Sequence, residues 1–393
     1  VTGNAAGYSS AMVRKLGIEE ELLLFDPESG EVVPAAPSVL KEFREHGPGR
    51  QRARAATDEL DQELFRHQLE TRTDPVRRAA DALDQLVAAR RTAGEAARAA
   101  GYAAGACGIV PLGGDRSVVS PNDRYRDMVD TYGEIARTGG TCGMHVHVDI
   151  GSDEEGVAVV DRIAPWLPVL VALAANSPYV EGRDSGYASW RAQVWARWPS
   201  AGPTEQFGSV AGYREVCRML LDVGAARDPG MLYFDARLST GQPTVEVRVC
   251  DVGTDPAVAV TIGALVRALV ETAAEEWADG RPAAHWRAEA LRAAHWRASR
   301  FGMADSLVHP LARGLRPARS VVAALVEAVE PALAAAGDLE LVDVQLERAV
   351  NDNGATRQRA AFERTGSVRG VVDDVIARTE ASWQDHDSHA GRL

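Results

Sequence analysis

The stretch Thr141-Cys-Gly-Met-His-Val-His-Val-Asp-Ile150 decides the fold. Successive side chains of an extended chain point to opposite faces. Met144, Val146 and Val148 therefore lie on one side, and His145, His147 and Asp149 on the other. Three more stretches read the same way. Val13 to Phe25 is a strand on which Glu19 and Glu21 share a face, while Glu20 looks away with Ile18 and Leu22, a surface or supporting position. Leu64 to Thr73 groups Gln68, Glu70 and Arg72, with Glu63 seven residues upstream of Glu70. Thr244 to Cys250 sets Glu246, Arg248 and Cys250 against three valines. Ser239 to Pro243 forms the hairpin turn from a strand over Met231–Leu238.

Helices fill the intervals. Asp74 as N-cap and Pro75 in the first turn open an Ala-rich helix that runs to about Ala100. Tyr102 to Val110 reads as a short buried strand and Pro121 to Thr138 as a helix. Another helix covers about Glu154 to Ala175, with Asp149 as its cap. Residues 176–230 are dense in Gly, Pro, Trp and Arg without clear periodicity, a pattern typical of functional segments. Gly47-Pro48-Gly49 marks an irregular connection. From Asp255 onward helices are expected at about 256–279, 283–300, 317–336, 338–350 and 369–381. Clustered strands, long helices and no regular βαβ alternation give an α+β class. The expected organisation is one catalytic domain over 13–300 with a helical C-terminal extension over 301–381 and flexible ends at 1–12 and 382–393. The Ala-rich tail predicts a homodimer.

Composition narrows the function. With 393 residues, 46% hydrophobic and 25% charged, the chain is ordinary globular material. A net charge of −13 opposes binding to nucleic acid or an anionic membrane. No run approaches about 18 uninterrupted apolar residues, so no membrane span is expected. Val1 to Ala11 carries no apolar leader, and the expected location is cytoplasmic. Cys107, Cys142, Cys217 and Cys250 are scattered without a C-x-x-C pair, and buried small hydrophobes are their default. Only Lys15 and Lys41 are lysines among 43 basic residues, and no G-x-x-x-x-G-K-[ST] loop occurs. Phosphate in this protein must be met by arginine, backbone N–H groups or a metal.

The polar faces of the strands carry Glu-x-Glu, His-x-His-x-Asp and Glu-x-Arg rather than the Thr, Ser and Lys of a solvated sheet. Carboxylates gathered on one face repel unless cations lie between them. Oxygen ligands with an imidazole suit Mg²⁺, with Mn²⁺ as the near equivalent. His145-x-His147 also fits a zinc hydrolase, which is the alternative reading. Mg²⁺ is commonly completed by substrate phosphates. With arginines nearby, this suggests ATP activating a carboxylate as an acyl phosphate that an amine then attacks. A phosphatase or nuclease could use similar ligands.

Longer motifs extend the pattern: Leu16-Gly-Ile-Glu-Glu-Glu-Leu22, Thr141-Cys-Gly-Met-His-Val-His-Val148, Asn176-Ser-Pro-Tyr179, Gly182 to Trp198, Pro243-Thr-Val-Glu-Val-Arg-Val-Cys-Asp251 and Thr254-Asp-Pro256. In this order they resemble the glutamate–cysteine ligase type 2 family, and within it the YbdK-type carboxylate-amine ligases. The resemblance implies a glutamine-synthetase-like fold: a curved, mainly antiparallel sheet, helices on its outer face, and a concave face for ATP and magnesium. It also implies small-molecule substrates, glutamate and an amine such as cysteine, joined through γ-glutamyl phosphate. Carried over by motif, the metal ligands are Glu19, Glu21, Glu63, Glu70, His145 and Glu246, with Glu63 resting on spacing alone. Arg248 would face the transferred phosphoryl group. A non-catalytic nucleotide- or amino-acid-binding homologue is the other alternative. Val180 and Gly253 depart from the common pattern.

Further candidates come from the neighbourhood of these motifs. Arg191 is expected either to clamp a phosphate or the glutamate carboxylate, since its fork suits either, or to form a structural ion pair. Tyr233 and Arg237 share a face and are candidates for cofactor contact. His147 either ligates metal or hydrogen-bonds a ligand. Trp190, Trp195 and Trp198 line an amine pocket or pack a covering loop, and Arg197 lies in the same segment. His285, His295 and His309 are expected at the surface or as caps.

Overall fold

The computed structural model describes residues 13–46, 60–113, 118–138 and 140–389. The expected flexible arm over 1–12, the Gly47-Pro48-Gly49 connection and residues 390–393 lie outside the described residues. Seven strands form the main sheet: β1 (Leu16–Phe25), β2 (Leu60–Gln62), β3 (Gln68–Arg72), β4 (Ala103–Gly105), β5 (Gly143–Asp149), β6 (Ala236–Leu238) and β7 (Thr244–Asp251). Their order is β2-β3-β1-β5-β7-β6, with β4 beside the far end of β1, and every pairing is antiparallel.

The apolar sets predicted from alternation form the core. Leu16, Ile18, Met144, Val146, Val148, Val245 and Val247 are all buried in one cluster with the helices Pro256–Ala278 and Leu167–Ala174. Asp255 caps the first of these helices, accepting from the Ala257 N–H at 2.9 Å, and Pro256 occupies its first turn. Gly263 lets it lie close on β1, because a Cβ there would stand 3.1 Å from Ile18 Cδ1. Asp153–Ala174 and Pro256–Ala278 are long and apolar enough to cross a bilayer, but 78% and 83% of their apolar windows are buried inside the fold. They are core helices, which are apolar all round for the same reason.

Several boundaries differ from expectation for identifiable reasons. The Ala-rich helix begins at Ala79, with Arg78 rather than Asp74 at its cap position, because Val76 pairs with Leu16 in both directions and stays extended. Ser152, not Asp149, caps the helix Asp153–Ile163, and the Asp149 carboxylate instead accepts from the Lys15 N–H at 3.3 Å. The expected helix over 154–175 breaks into a tight turn at Ala164-Pro165-Trp166, where Pro165 has no N–H to donate. The expected strands over 64–73, 102–110 and 231–238 shorten to Gln68–Arg72, Ala103–Gly105 and Ala236–Leu238. Helices over Ala36–His46, Val210–Asp222 and Gly354–Thr365 arise where no periodicity was read. The last helix, Val368–His389, runs past the expected end at 381. It is tied down by Trp383, which packs against Gly94, and by Thr379, whose hydroxyl accepts from the Ala106 N–H at 2.9 Å.

Glu20 is no surface residue. It and Arg90 are both fully buried and form a two-pronged ion pair at 2.7 and 2.8 Å. Arg90 also donates to the Gly253 and Thr254 carbonyls at 2.6 and 2.8 Å. One buried cation thus joins β1 to the turn that leads into Pro256–Ala278.

Candidate active site

Strand register brings the charged sets together on the face away from the helices. Glu21 stands opposite Glu70, and Glu19 opposite Arg72 on one side and His145 on the other. His147 faces Glu246, which in turn faces Arg237. The β5–β7 pairing slips between Met144 and Val146. This bulge, a device common beside active sites, falls at His145, whose Nδ1 lies 3.5 Å from Arg248 Nη1. The result is a hollow of about 300 Å³ lined by Glu19, Glu21, Glu63, Glu70, His145, His147, Glu246, Arg248, Arg237 and Tyr233. Among the expected metal ligands, Arg248, Tyr233, Arg237 and Arg191, Arg191 alone is absent from its wall.

The hollow divides into two electrostatic halves. In the first, burial and then the neighbouring Glu63 push the Glu21 carboxyl up to about 8. Burial, followed by Glu63 within hydrogen-bonding reach, lifts Glu70 well above the usual carboxylate range. Arg72 lies 3.7 Å from Glu70, and Arg191 and Arg248 act on Glu21, yet burial and the crowding of like charges outweigh them. In the second half, Glu19 approaches His145 Nδ1 at 3.3 Å and His147 Nε2 at 3.6 Å. Burial works against its ionisation, but these imidazole contacts hold it well below the usual range. Burial and the adjacent Arg248 lower His145 to about 4, so its ring is neutral at neutral pH and able to ligate. Glu246 is ionised despite its burial, held by Arg248 and by Arg237, which donates to it through Nε at 2.7 Å. Arg237 also donates to the carbonyls of Pro229, Gly230 and Leu232. Its guanidinium is therefore committed to holding Glu246 and that segment in place.

The other candidates sort by position. Tyr233 packs within 5.8 Å of the Arg248 guanidinium. Trp195 and Trp198 join the wall of the hollow, and Trp190 does not. Arg197 is exposed. His147 Nδ1 contacts Thr244 Oγ1 at 3.2 Å. His309 caps its own turn, accepting from the Leu311 and Ala312 N–H groups. His295 contradicts its surface default: its side chain is only 12% exposed and faces Asp235. Cys107, Cys142 and Cys250 are buried as expected, and Cys217 is half-buried.

Arg191 is 2% exposed and sits behind the rim of β5. Its guanidinium reaches the carbonyls of Arg248 and Val249 at 3.3 and 3.4 Å. Nearby, Asp251 accepts from the Ser177 and Ser189 hydroxyls at 2.7 Å each and from the Asn176 N–H at 2.8 Å. Three separate sequence motifs are thereby one buried network.

Gly143, quoted in the sequence only as part of a motif, has two jobs here. Its N–H donates to Glu21 Oε2 at 2.7 Å. A Cβ there would stand 2.2 Å from Arg191 Nη2, so the buried guanidinium would have to leave its place on the Arg248 and Val249 carbonyls. Gly143→Ala is expected to cut turnover at least tenfold while the protein stays folded; unchanged steady-state kinetics would contradict this packing. Arg124 and Tyr125 also line the hollow. They come from the start of the helix Asp123–Tyr132, where no strand alternation existed to reveal them.

A curved antiparallel sheet backed by helices, with carboxylates, an imidazole and arginines on its open face, defines a protein of glutamine-synthetase-like fold. Solved structures agree. The chain is similar to a glutamate–cysteine ligase of Francisella tularensis in complex with AMP, with TM-score 0.68 and 11% identity over 95% of this chain and 90% of that one. A bifunctional glutathione synthetase of Pasteurella multocida matches with TM-score 0.66 and 14% identity over 95% of this chain and 53% of that one. The model of the family described as glutamate-cysteine ligase family 2 (GCS2) matches residues 15–378, and the chain belongs to that family. Its relatives include proteins provisionally named glutamate--cysteine ligase 2-1 in Streptomyces avermitilis and glutamate--cysteine ligase 2 in Streptomyces coelicolor. Each is 45% identical, covering 94% of this chain and all of the relative. The chain is accordingly a ligase by family.

Proposed function

We propose that the protein is an ATP-dependent carboxylate–amine ligase that activates glutamate as γ-glutamyl phosphate and passes it to an amine. The supporting observation is the gathering of Glu19, Glu21, Glu63, Glu70, His145 and Glu246 in one hollow beside Arg248. The AMP bound by the Francisella protein is in keeping with a nucleotide substrate.

The donor set fits magnesium-class cations. Three crowded acids, two of them pushed toward protonation despite Arg72 at 3.7 Å from Glu70, form an oxygen-rich site suited to a cation. Among the described residues no three His, Cys, Asp or Glu side chains already converge as a preformed metal site. Glu21, Glu63 and Glu70 would hold a cation in one half, and Glu19, His145 and Glu246 in the other. Bound there, such cations supply charge neutralisation to the transferred phosphoryl group. Arg248 faces that group and stabilises charge developing on it. Arg237 fixes Glu246, and the backbone N–H of Gly143 orients Glu21. Tyr233 and Trp195 wall off water around the Arg248 guanidinium.

A phosphate-release assay with glutamate held constant and the amine varied tests this reading. Release should require glutamate, an amine and Mg²⁺, and Glu19→Ala and Glu246→Ala should abolish it in folded protein. Full activity in both variants would contradict the ligand assignment.

The raised Glu21 carboxyl gives a second test. Its folded value of about 8 exceeds the ordinary 4.5, so its stabilising contribution is complete below the ordinary value and is lost as pH rises through the folded one. In a chelator, the melting temperature should fall by several degrees between about pH 6 and about pH 9, and saturating Mg²⁺ should remove that fall. Equal pH profiles with and without Mg²⁺ would count against cation binding at these acids.

A further inference from the structure

A second cavity, of about 260 Å³, lies at the edge of β7 between the helices Trp190–Trp195 and Ala288–Phe301. It lies behind the carboxylate hollow, and only Trp195 and Arg248 line both spaces. Their chemistry is opposite. The hollow is crowded with acids, whereas the second cavity carries Arg191, Arg248 and Arg292 against a single carboxylate, Asp235.

The protein leaves these cations short of partners. Arg191 is 2% exposed and Arg248 8%, yet the Nε of each is buried without a hydrogen-bond partner. Buried donors of this kind are normally paired. Asp251, 4.0 Å from Arg191 Nη1, is already occupied by the Ser177 and Ser189 hydroxyls and the Asn176 N–H. The side chain of Arg292 is exposed and makes no hydrogen bond or salt bridge among the described residues. Asp235 is held in place by its backbone, whose carbonyl accepts from the Arg248 N–H at 3.0 Å and whose N–H donates to the Gly202 carbonyl at 3.2 Å. Its carboxylate accepts no hydrogen bond among the described residues, and His295 Nε2 stands 4.0 Å away. Burial lifts the Asp235 carboxyl above its ordinary range, and the charges of His295 and Arg191 oppose that. Guanidinium groups nearby favour its ionised form.

A ligand suited to this wall must accept from several guanidinium groups and donate to one carboxylate. Sulfate and simple carboxylates carry acceptors only, and would meet Asp235 as a bare repulsion. Hydrogen phosphate has both kinds of group: oxygens that match the arginine fork and one O–H that donates. The cavity has room for that ion together with several waters.

We propose that this cavity binds hydrogen phosphate on Arg191, Arg248 and Arg292, with the phosphate O–H donating to Asp235, and that phosphate held there brakes turnover. The binding claim stands by itself. The brake rests on the ligase reading, in which each turnover releases phosphate and Arg248 serves the transferred phosphoryl group. A dianion behind Arg248 offsets part of the charge that the hollow needs from it, so kcat falls. ATP and glutamate enter on the other side of the wall, so their KM values stay the same.

Calorimetric titration with inorganic phosphate, in a chelator that leaves the acidic hollow without cations, tests the site apart from turnover. Wild-type protein should bind one phosphate, and sulfate about tenfold more weakly or worse, the usual cost of an unmatched charged hydrogen bond. Asp235→Asn should erase that preference, because an amide can donate to sulfate as well as accept from phosphate. Arg292→Gln, at an exposed position, should weaken phosphate binding about tenfold, and it decides the matter if the Asp235 variant fails to fold. In steady-state assays added phosphate should lower wild-type kcat with both KM values unmoved, and Arg292→Gln should need about tenfold more phosphate for the same effect. Sulfate bound as tightly as phosphate by wild-type protein, or a phosphate affinity unchanged in the variants, would overturn the site. Inhibition that competes with ATP or glutamate would overturn the brake by placing phosphate in the hollow. Protein that turns over no amine would sink the ligase reading and the brake with it, while the calorimetry still decides the site.

Discussion

Arg248→Lys is expected to lower kcat by about 10²–10³-fold, the usual consequence of removing one preorganised donor from a developing negative charge. The guanidinium of Arg248 touches Glu246, lies 3.5 Å from His145 and packs over the rings of Trp195 and Tyr233. A lysine keeps the charge but loses the planar fork and the stacking. Folding should survive, since Arg237 still neutralises Glu246. Single-turnover measurement of ADP formation separates this from an effect on binding. A lysine variant with wild-type kcat would show that Arg248 is only a structural partner of Glu246.

The largest stability effect is expected at Glu20→Ala, a loss of about 3–5 kcal/mol. The reason is not the strength of the ion pair. Both members are fully buried, and truncating one leaves the Arg90 guanidinium uncompensated in the core. The companion prediction is sharper. Replacing both by apolar residues of similar size, Glu20→Met with Arg90→Leu, should recover most of the loss, since an apolar pair avoids desolvating two charges. The double variant should still lose activity, because Arg90 also holds the Gly253 and Thr254 carbonyls next to the start of the helix Pro256–Ala278. Urea unfolding read by circular dichroism gives both numbers. A Glu20→Ala loss below about 1 kcal/mol would mean that water reaches the pair.

The sheet and its charged face were legible because strand alternation is a local property. Glu19 with Glu21, His145 with His147, and Glu246 with Arg248 were paired by position alone, and the antiparallel register carries those pairs across neighbouring strands. What alternation could not reveal was whatever depends on a distant partner. Alternation left Glu20 as either a surface or a supporting position, and could not choose the buried one because Arg90 lies seventy positions away, on a helix. Asp74 looked like a cap because nothing local shows that Val76 pairs with Leu16. His295 was placed at the surface because a helix of mixed polarity does not disclose a cavity on one side. Arg191 is the instructive case. Its motif allowed either a clamp or a structural ion pair, and the structure places it behind β5, bonded to the Arg248 and Val249 carbonyls and lining the cavity beside the helix Trp190–Trp195 rather than the acidic hollow. Gly143 was legible only as a glycine in a motif; its need follows from the approach of the Arg191 guanidinium.

The claim that a carboxylate is activated by direct phosphoryl transfer is tested most directly by isotope transfer. Glutamate carrying ¹⁸O in its γ-carboxyl group is incubated with ATP, Mg²⁺ and the acceptor, and the released phosphate is analysed by mass spectrometry. An acyl phosphate requires one carboxyl oxygen to leave with the phosphate when the amine attacks, so each phosphate should carry one ¹⁸O. Unlabelled phosphate alongside amide product, or label recovered in AMP, would contradict the mechanism assigned to this hollow.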